Sequence, residues 1–424
     1  MLDSDTTYLI VNQNVSKGNL LLDDNEQQQN TQAVKKKSYS SRNIFLDSLK
    51  SISSFLVVMT HTVFFDKTTL KEYSEEEAYK WFVNAFYTSF VRCANALFMM
   101  VTGILILHPK HLHDSPFVSM KMFAKRSLNY LVWGFLYYLK YMMDLNWKGN
   151  VKKSFYKSVL YIIDGGASFW YLYTLLFIHL ATPFFQAGLR TITRLSYEYC
   201  LISYFVMYQG LNGLRLLIDG WGKGTNFSSM TFYLLAGPFV YGFAEKVSHP
   251  EQISGYQFVE DKEGILKWFT NINWKKPWAR VTTFFVFIGT VSFMYLLWSY
   301  RELSGLPNGP FLLLDHCPFN TVATLSFFLF MYGSLSDWQP TSKPGKLLYW
   351  FFSSTGSCTM GIYMLNVHVL YRVIHVYFPK WLGRGLDSFN PFWFALLIGA
   401  GVYLVCWVIT LFAKKIPGVR FFFQ

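Results

Sequence analysis

Charge is scarce in this chain. Asp, Glu, Lys and Arg make up 15% of its 424 residues, against about 25% in an ordinary soluble domain. That shortage excludes a soluble enzyme and a disordered tail protein. Cysteine is sparse as well. Cys93, Cys200, Cys317, Cys358 and Cys406 are scattered and odd in number, and no two are spaced Cys-x-x-Cys. A disulfide framework, a zinc site and a redox motif are therefore excluded. The five read as small buried apolar residues. Segments of about ten residues alternating polar and apolar are missing, which rules out an outer-membrane barrel. Long polar loops are missing too: the longest, 246–280, is too short for a domain. No internal repeat of a transporter kind stands out.

What the chain does have is apolar length. Hydrophobic residues make up 52% and aromatics 20%, gathered in runs near the ~20 residues that a spanning helix needs. About ten such windows follow one another: 44–65, 84–107, 124–144, 168–188, 197–218, 229–245, 281–300, 318–335, 349–377 and 392–413. The expected fold is all-α, a polytopic transmembrane bundle. The ninth window is long enough to tilt, kink or extend into water. The net charge of +13 is explained by topology rather than by a nucleic-acid partner. With the N-terminus inside, most Lys and Arg fall on inner segments, as cytoplasmic loops require. Glu72, Glu75, Glu76 and Glu77 fall on the first outer loop. An even count of spans places both termini in the cytoplasm. Residues 1–41 are polar, with Lys35, Lys36 and Lys37, and read as a disordered cytoplasmic tail without a signal peptide. Residues 42–413 form the membrane domain and 414–424 a short cytoplasmic tail. The expected location is a plasma membrane, the inner membrane in a bacterium, or a eukaryotic plasma membrane or endomembrane.

Ionisable groups inside a span point to function. The first span carries Asp47 and Lys50, one turn apart and able to pair. Lys50 and His61 are eleven residues apart. At about 100° per residue that is three turns plus about 20°, so both lie on one face, about 16 Å apart along the axis. As interfacial anchors, Asp47 and Lys50 would need no function, because Lys snorkels to headgroups. The imidazole near the opposite end of the same face argues for more.

The motif Leu46-Asp47-Ser48-Leu49-Lys50, followed by ten residues and His61, resembles the first helix of the acyltransferase-3 family of polytopic membrane acyltransferases. Lys50 stands where that family usually has Arg. Other stretches resemble the family in order: Ala96 to Gly103, the basic Phe123-Ala124-Lys125-Arg126-Ser127-Leu128, Phe169 to Tyr173 with Pro183 after it, and Thr355 to His368. Asn129 and Asn366 stand where relatives often have Arg and His. The resemblance spans about 42 to 413 and looks closest to members that O-acetylate surface glycans.

The resemblance implies an acyltransferase taking its acyl group, acetyl by analogy, from cytoplasmic acyl-CoA. The acceptor would be a hydroxyl of a glycan or lipid-linked sugar. Acetyl-CoA is then the co-substrate, no metal is expected, and the partners are membrane lipids and the acceptor. Lys50, Lys125 and Arg126 lie near the inner face, where the donor's phosphates would bind. His61, with an imidazole pKa ordinarily near 6.5, is suited to take the hydroxyl proton or to carry the acyl group briefly. Asp47 would orient Lys50. Trp170, Tyr171 and Tyr173 are candidates for stacking on a sugar ring, although interfacial belts favour the same residues. Asp315 and His316 sit at an outer mouth, as acceptor contacts or as a helix cap. His108, His111 and His113 cluster on an inner loop and read as solvated rather than metal-binding. A transporter of a glycan or small anion, or a non-catalytic relative, are the rival readings.

Overall fold

The computed structural model describes residues 43–63, 78–107, 111, 115–144, 170–210, 226–248, 264–305, 317–371 and 390–423. Asn43 starts the first helix as an N-cap: its side-chain oxygen accepts from the Leu46 backbone N–H at 3.4 Å. Asp47, in the first turn, suits the positive end of the helix dipole. The helix α1 (Ile44–Val63) runs to His61 in its last turn. It is followed by α2 (Ala78–Val91), α3 (Cys93–Ile106), α4 (Pro116–Asp144), α5 (Trp170–Thr191), α6 (Arg194–Tyr204) and α7 (Asn226–Ser248). Then come α8 (Pro277–Leu303), α9 (Pro318–Leu335), α10 (Lys343–Ser357), α11 (Thr359–Tyr371) and α12 (Pro391–Ala413). A 3-10 helix, Val419–Phe423, follows. No strand occurs among the described residues.

Among the described residues, helix occupies at least part of every apolar window in the sequence. Five helical stretches among the described residues are long and apolar enough to cross a membrane: Ile44–Thr62, Ala78–Ile106, Tyr171–Thr191, Pro277–Leu303 and Pro391–Ala413. Two windows break. Over 84–107, α2 and α3 meet at Arg92. Over 349–377, expected as one long helix, α10 and α11 meet at Cys358. The second break has a local cause. Thr355 donates to the Phe351 carbonyl at 2.7 Å and Ser357 to the Ser354 carbonyl at 2.7 Å, so side chains compete for the helix acceptors. Lys414 then donates to the freed Ser357 carbonyl at 3.1 Å.

The first helix is the hub. It packs against α2, α3, α9, α10, α11 and α12, and 72% of its apolar window is buried, against 28% for α8. The outer helix α8 turns Phe284, Phe285, Val286 and Leu296 outward, as a lipid-facing surface requires. Lipid tails are as apolar as leucine, so helices associate through close packing and hydrogen bonds. Both occur here. At the α3–α7 crossing a Cβ on Gly103 would strike the Leu234 carbonyl, and one on Gly237 would lie 2.7 Å from Met100 Cα. Buried hydroxyls tie α1 to α10 and α12: Ser51 Oγ is 2.7 Å from Thr355 Oγ1 and 3.0 Å from Tyr403 OH. Part of the 246–280 loop folds back on the bundle. Glu198, ion-paired to Arg194 at 2.9 Å, accepts from the Leu266 N–H at 2.7 Å, and Arg194 donates to Thr270 Oγ1 at 2.6 Å.

Candidate active site

Lys50 and Asp47 form the expected pair: Lys50 Nζ lies 2.7 Å from Asp47 Oδ1. The Asp47 backbone is pressed against α10 at Gly356, where a Cβ would come within 2.6 Å of the Asp47 carbonyl oxygen. That contact fixes the rotation of α1 at this turn. Asp47 is buried, while Lys50 keeps part of its side chain open. The open part faces a cavity of about 290 Å³.

Five helices build that cavity, each through one stripe. Phe98, Val101, Thr102, Leu105 and Ile106 come from α3, Met122 and Arg126 from α4. Tyr171, Leu175 and His179 come from α5, and Thr359, Met360 and Tyr363 from α11. The spacings of three and four residues are those of a single helix face. One end of the space is polar. The Thr102 hydroxyl donates to the Phe98 carbonyl at 2.8 Å and shares a 3.1 Å hydrogen bond with Tyr171 OH. The Tyr171 ring lies 5.4 Å from that of Tyr363. The Arg126 guanidinium is close enough to act electrostatically on both Tyr171 and His179. Two cations, an imidazole and four hydroxyls thus converge on a space otherwise walled by aliphatic side chains, two methionines and Phe98. Such a space suits an anionic or strongly polar ligand with an apolar part.

The other expected site residues fall in different places. His61 is half-buried at the far end of α1 and does not line this cavity. Between Lys50 and His61 the same face carries Ser53, Ser54 and Val57, all buried, so this stripe faces protein rather than hydrocarbon. Lys125 lies off the cavity wall, with Nζ 5.3 Å above the Phe421 ring. Tyr173 is two residues from Tyr171, hence on the opposite face, where it is exposed and packs on Phe177 and Tyr130. Trp170 begins α5. Asp315, His316, His108 and His113 lie outside the described residues. The His111 carbonyl accepts from Gln186 Nε2 at 2.9 Å. Asn366 donates to the Ile362 and Tyr363 carbonyls of its own helix, at 3.2 and 2.6 Å. Sequence reasoning missed His179. The signal was present: it is an ionisable group inside an apolar window, two turns from Tyr171 on the same face.

A cavity lined by two cations within a bundle of helices of membrane-spanning length defines the class: an integral membrane protein with a polar pocket between its helices. A family model described as an acyltransferase domain, that of the acyltransferase-3 family, matches residues 43–411. The chain belongs to that family and is a membrane acyltransferase. No curated protein and no solved structure matches it.

Proposed function

We propose that this protein is a multi-pass O-acyltransferase that moves an acetyl group from cytoplasmic acetyl-CoA to a hydroxyl of a glycan or lipid-linked sugar. The observation that carries this proposal is the cavity shared by Lys50 and Arg126, from which one buried face of α1 leads to His61. Lys50, Lys125 and Arg126 receive the donor's phosphates, and a low dielectric strengthens that pairing. The donor's flexible arm extends from the cavity toward the far end of α1, and its thioester reaches His61. The imidazole takes the proton of the acceptor hydroxyl, and the oxygen attacks the thioester carbonyl. The carbon–sulfur bond breaks, the coenzyme thiolate takes up the proton from the imidazolium, and the ester remains on the acceptor. Asp47 holds Lys50 in place. His179 and Tyr171, beside Arg126, serve the donor, whereas Trp170, Tyr173, Asp315 and His316 serve the acceptor. The apolar windows form ten spans with both ends of the chain in the cytoplasm.

Mass spectrometry of cell-surface glycans and lipids, with and without the protein, tests the reaction. An acetylated species should vanish without it. It should vanish equally in His61→Ala, with that variant still inserted and expressed. Full transfer in His61→Ala, or unchanged glycans and lipids in cells lacking the protein, would overturn this function.

A further inference from the structure

Beyond α12 the chain does not run straight on. Gly418 adopts φ +80°, a left-handed conformation that residues with a side chain rarely take, and it follows Pro417. This turn sends Val419–Phe423 back against the bundle. The segment is anchored at three points. Trp133 of α4 donates from Nε1 to the Phe422 carbonyl at 3.1 Å, and its ring meets that of Phe423 at 5.2 Å. On α11, a Cβ at Gly361 would lie 2.7 Å from the Phe423 ring, so the glycine is what admits it. Phe421 sits under the ammonium of Lys125 at 5.3 Å. Arg420 is therefore held beside Lys125, and Arg126 and Arg420 are the charges that act on Lys125. Arg420 is exposed, Lys125 is half-buried, and Arg126 lines the cavity. The three form a positive path from solvent to the interior.

The turn at Gly418 and Arg420 itself lie outside the residues matched by the family model, which end at 411, whereas Lys125 and Arg126 lie within them. We propose that Arg420, folded back by the Pro417-Gly418 turn, completes with Lys125 and Arg126 a phosphate-binding rim for the nucleotide end of the acyl donor. This rests on acyl-CoA being the donor. Arginine offers a planar fork that grips a phosphate in two places, which the ammonium of Lys125 does not. The anchors at Trp133 and Gly361 hold the segment without using the charge of Arg420.

The test is acetyl-CoA binding by the full chain in phosphatidylcholine nanodiscs, at fixed salt. Arg420→Ala should weaken binding by about tenfold or more, the scale of one charge-assisted hydrogen bond. Arg420→Lys should recover part of the loss. Gly418→Val keeps the arginine but disturbs the turn, and should weaken binding like Arg420→Ala. Equal affinity of Arg420→Ala and the unaltered protein would overturn the proposal. So would a loss seen only in phosphatidylserine discs, which would assign the arginine to a lipid headgroup. An unaltered protein that binds no acetyl-CoA at all would remove the donor assignment itself, and this rim with it.

Discussion

Removing Lys50 should do two separable things, and a pair of variants can tell them apart. Asp47 is 3% exposed and its Oδ1 lies 2.7 Å from Lys50 Nζ. Lys50→Ala therefore removes the countercharge of a buried carboxylate, and breaking a fully buried pair costs about 3–5 kcal/mol. The lysine side chain is 21% exposed, so water screens part of the interaction and the expected loss falls to about 2–3 kcal/mol. The double variant Asp47→Asn/Lys50→Met removes both charges and keeps the volumes. It should return to within about 1 kcal/mol of the original stability, because neutral replacements of buried pairs are often tolerated. Donor affinity should not return. Both variants should bind acetyl-CoA about tenfold more weakly, having lost one ionic contact to phosphate. Unfolding midpoints in nanodiscs and calorimetric titration with acetyl-CoA read the two effects. If the double variant is as unstable as Lys50→Ala, the pair is not what holds Asp47. If it binds acetyl-CoA as tightly as the unaltered protein, Lys50 has no part in donor recognition.

Two further outcomes follow from the packing. His179→Ala should raise KM for acetyl-CoA by up to about tenfold, the value of one lost hydrogen bond. It should leave kcat nearly unchanged, because the imidazole lines the cavity at the donor end and not near His61; an unaltered KM would exclude it from the donor site. Gly237→Val should destabilise by about 1–3 kcal/mol through overpacking of the α3–α7 crossing, where the added Cβ meets Met100. Gly289→Ala on α8, with nothing within 4 Å of its Cβ, should instead be neutral or stabilising by up to about 1 kcal/mol. Equal effects from the two glycines would refute the close crossing.

Much of the bundle is legible in the sequence because a membrane helix must satisfy its own backbone, and apolar length alone then marks it. The one-face placement of Lys50 and the half-buried His61 follows from a spacing of eleven residues in the same way, and so does the Asp47–Lys50 pair. What the sequence hides is convergence. Arg126 and His179 come from helices far from α1 along the chain, and only the packing of α3, α4, α5 and α11 brings them to Lys50. The break at Cys358 is hidden for another reason. A Ser/Thr-rich stretch can stay helical, and its side chains win here because Lys414, supplied by another helix, satisfies the freed Ser357 carbonyl. Tyr171 and Tyr173 show the value of periodicity against composition. Both are aromatic and near an interface, yet a separation of two residues sends only the first into the cavity.

A long donor needs its charged end and its reacting end held far apart. A single helix does this with little freedom: eleven residues between Lys50 and His61 fix about 16 Å, and the hub position of α1 keeps that length from changing. Six neighbouring helices, the Ser51 hydroxyl network and the Gly356 contact at Asp47 all resist rotation of the stripe. The small side chains of Ser53, Ser54 and Val57 along that stripe are buried, and they let the neighbouring helices approach α1 closely. Close packing on that side holds the Lys50 end of α1 against the cavity and the His61 end at a fixed distance from it.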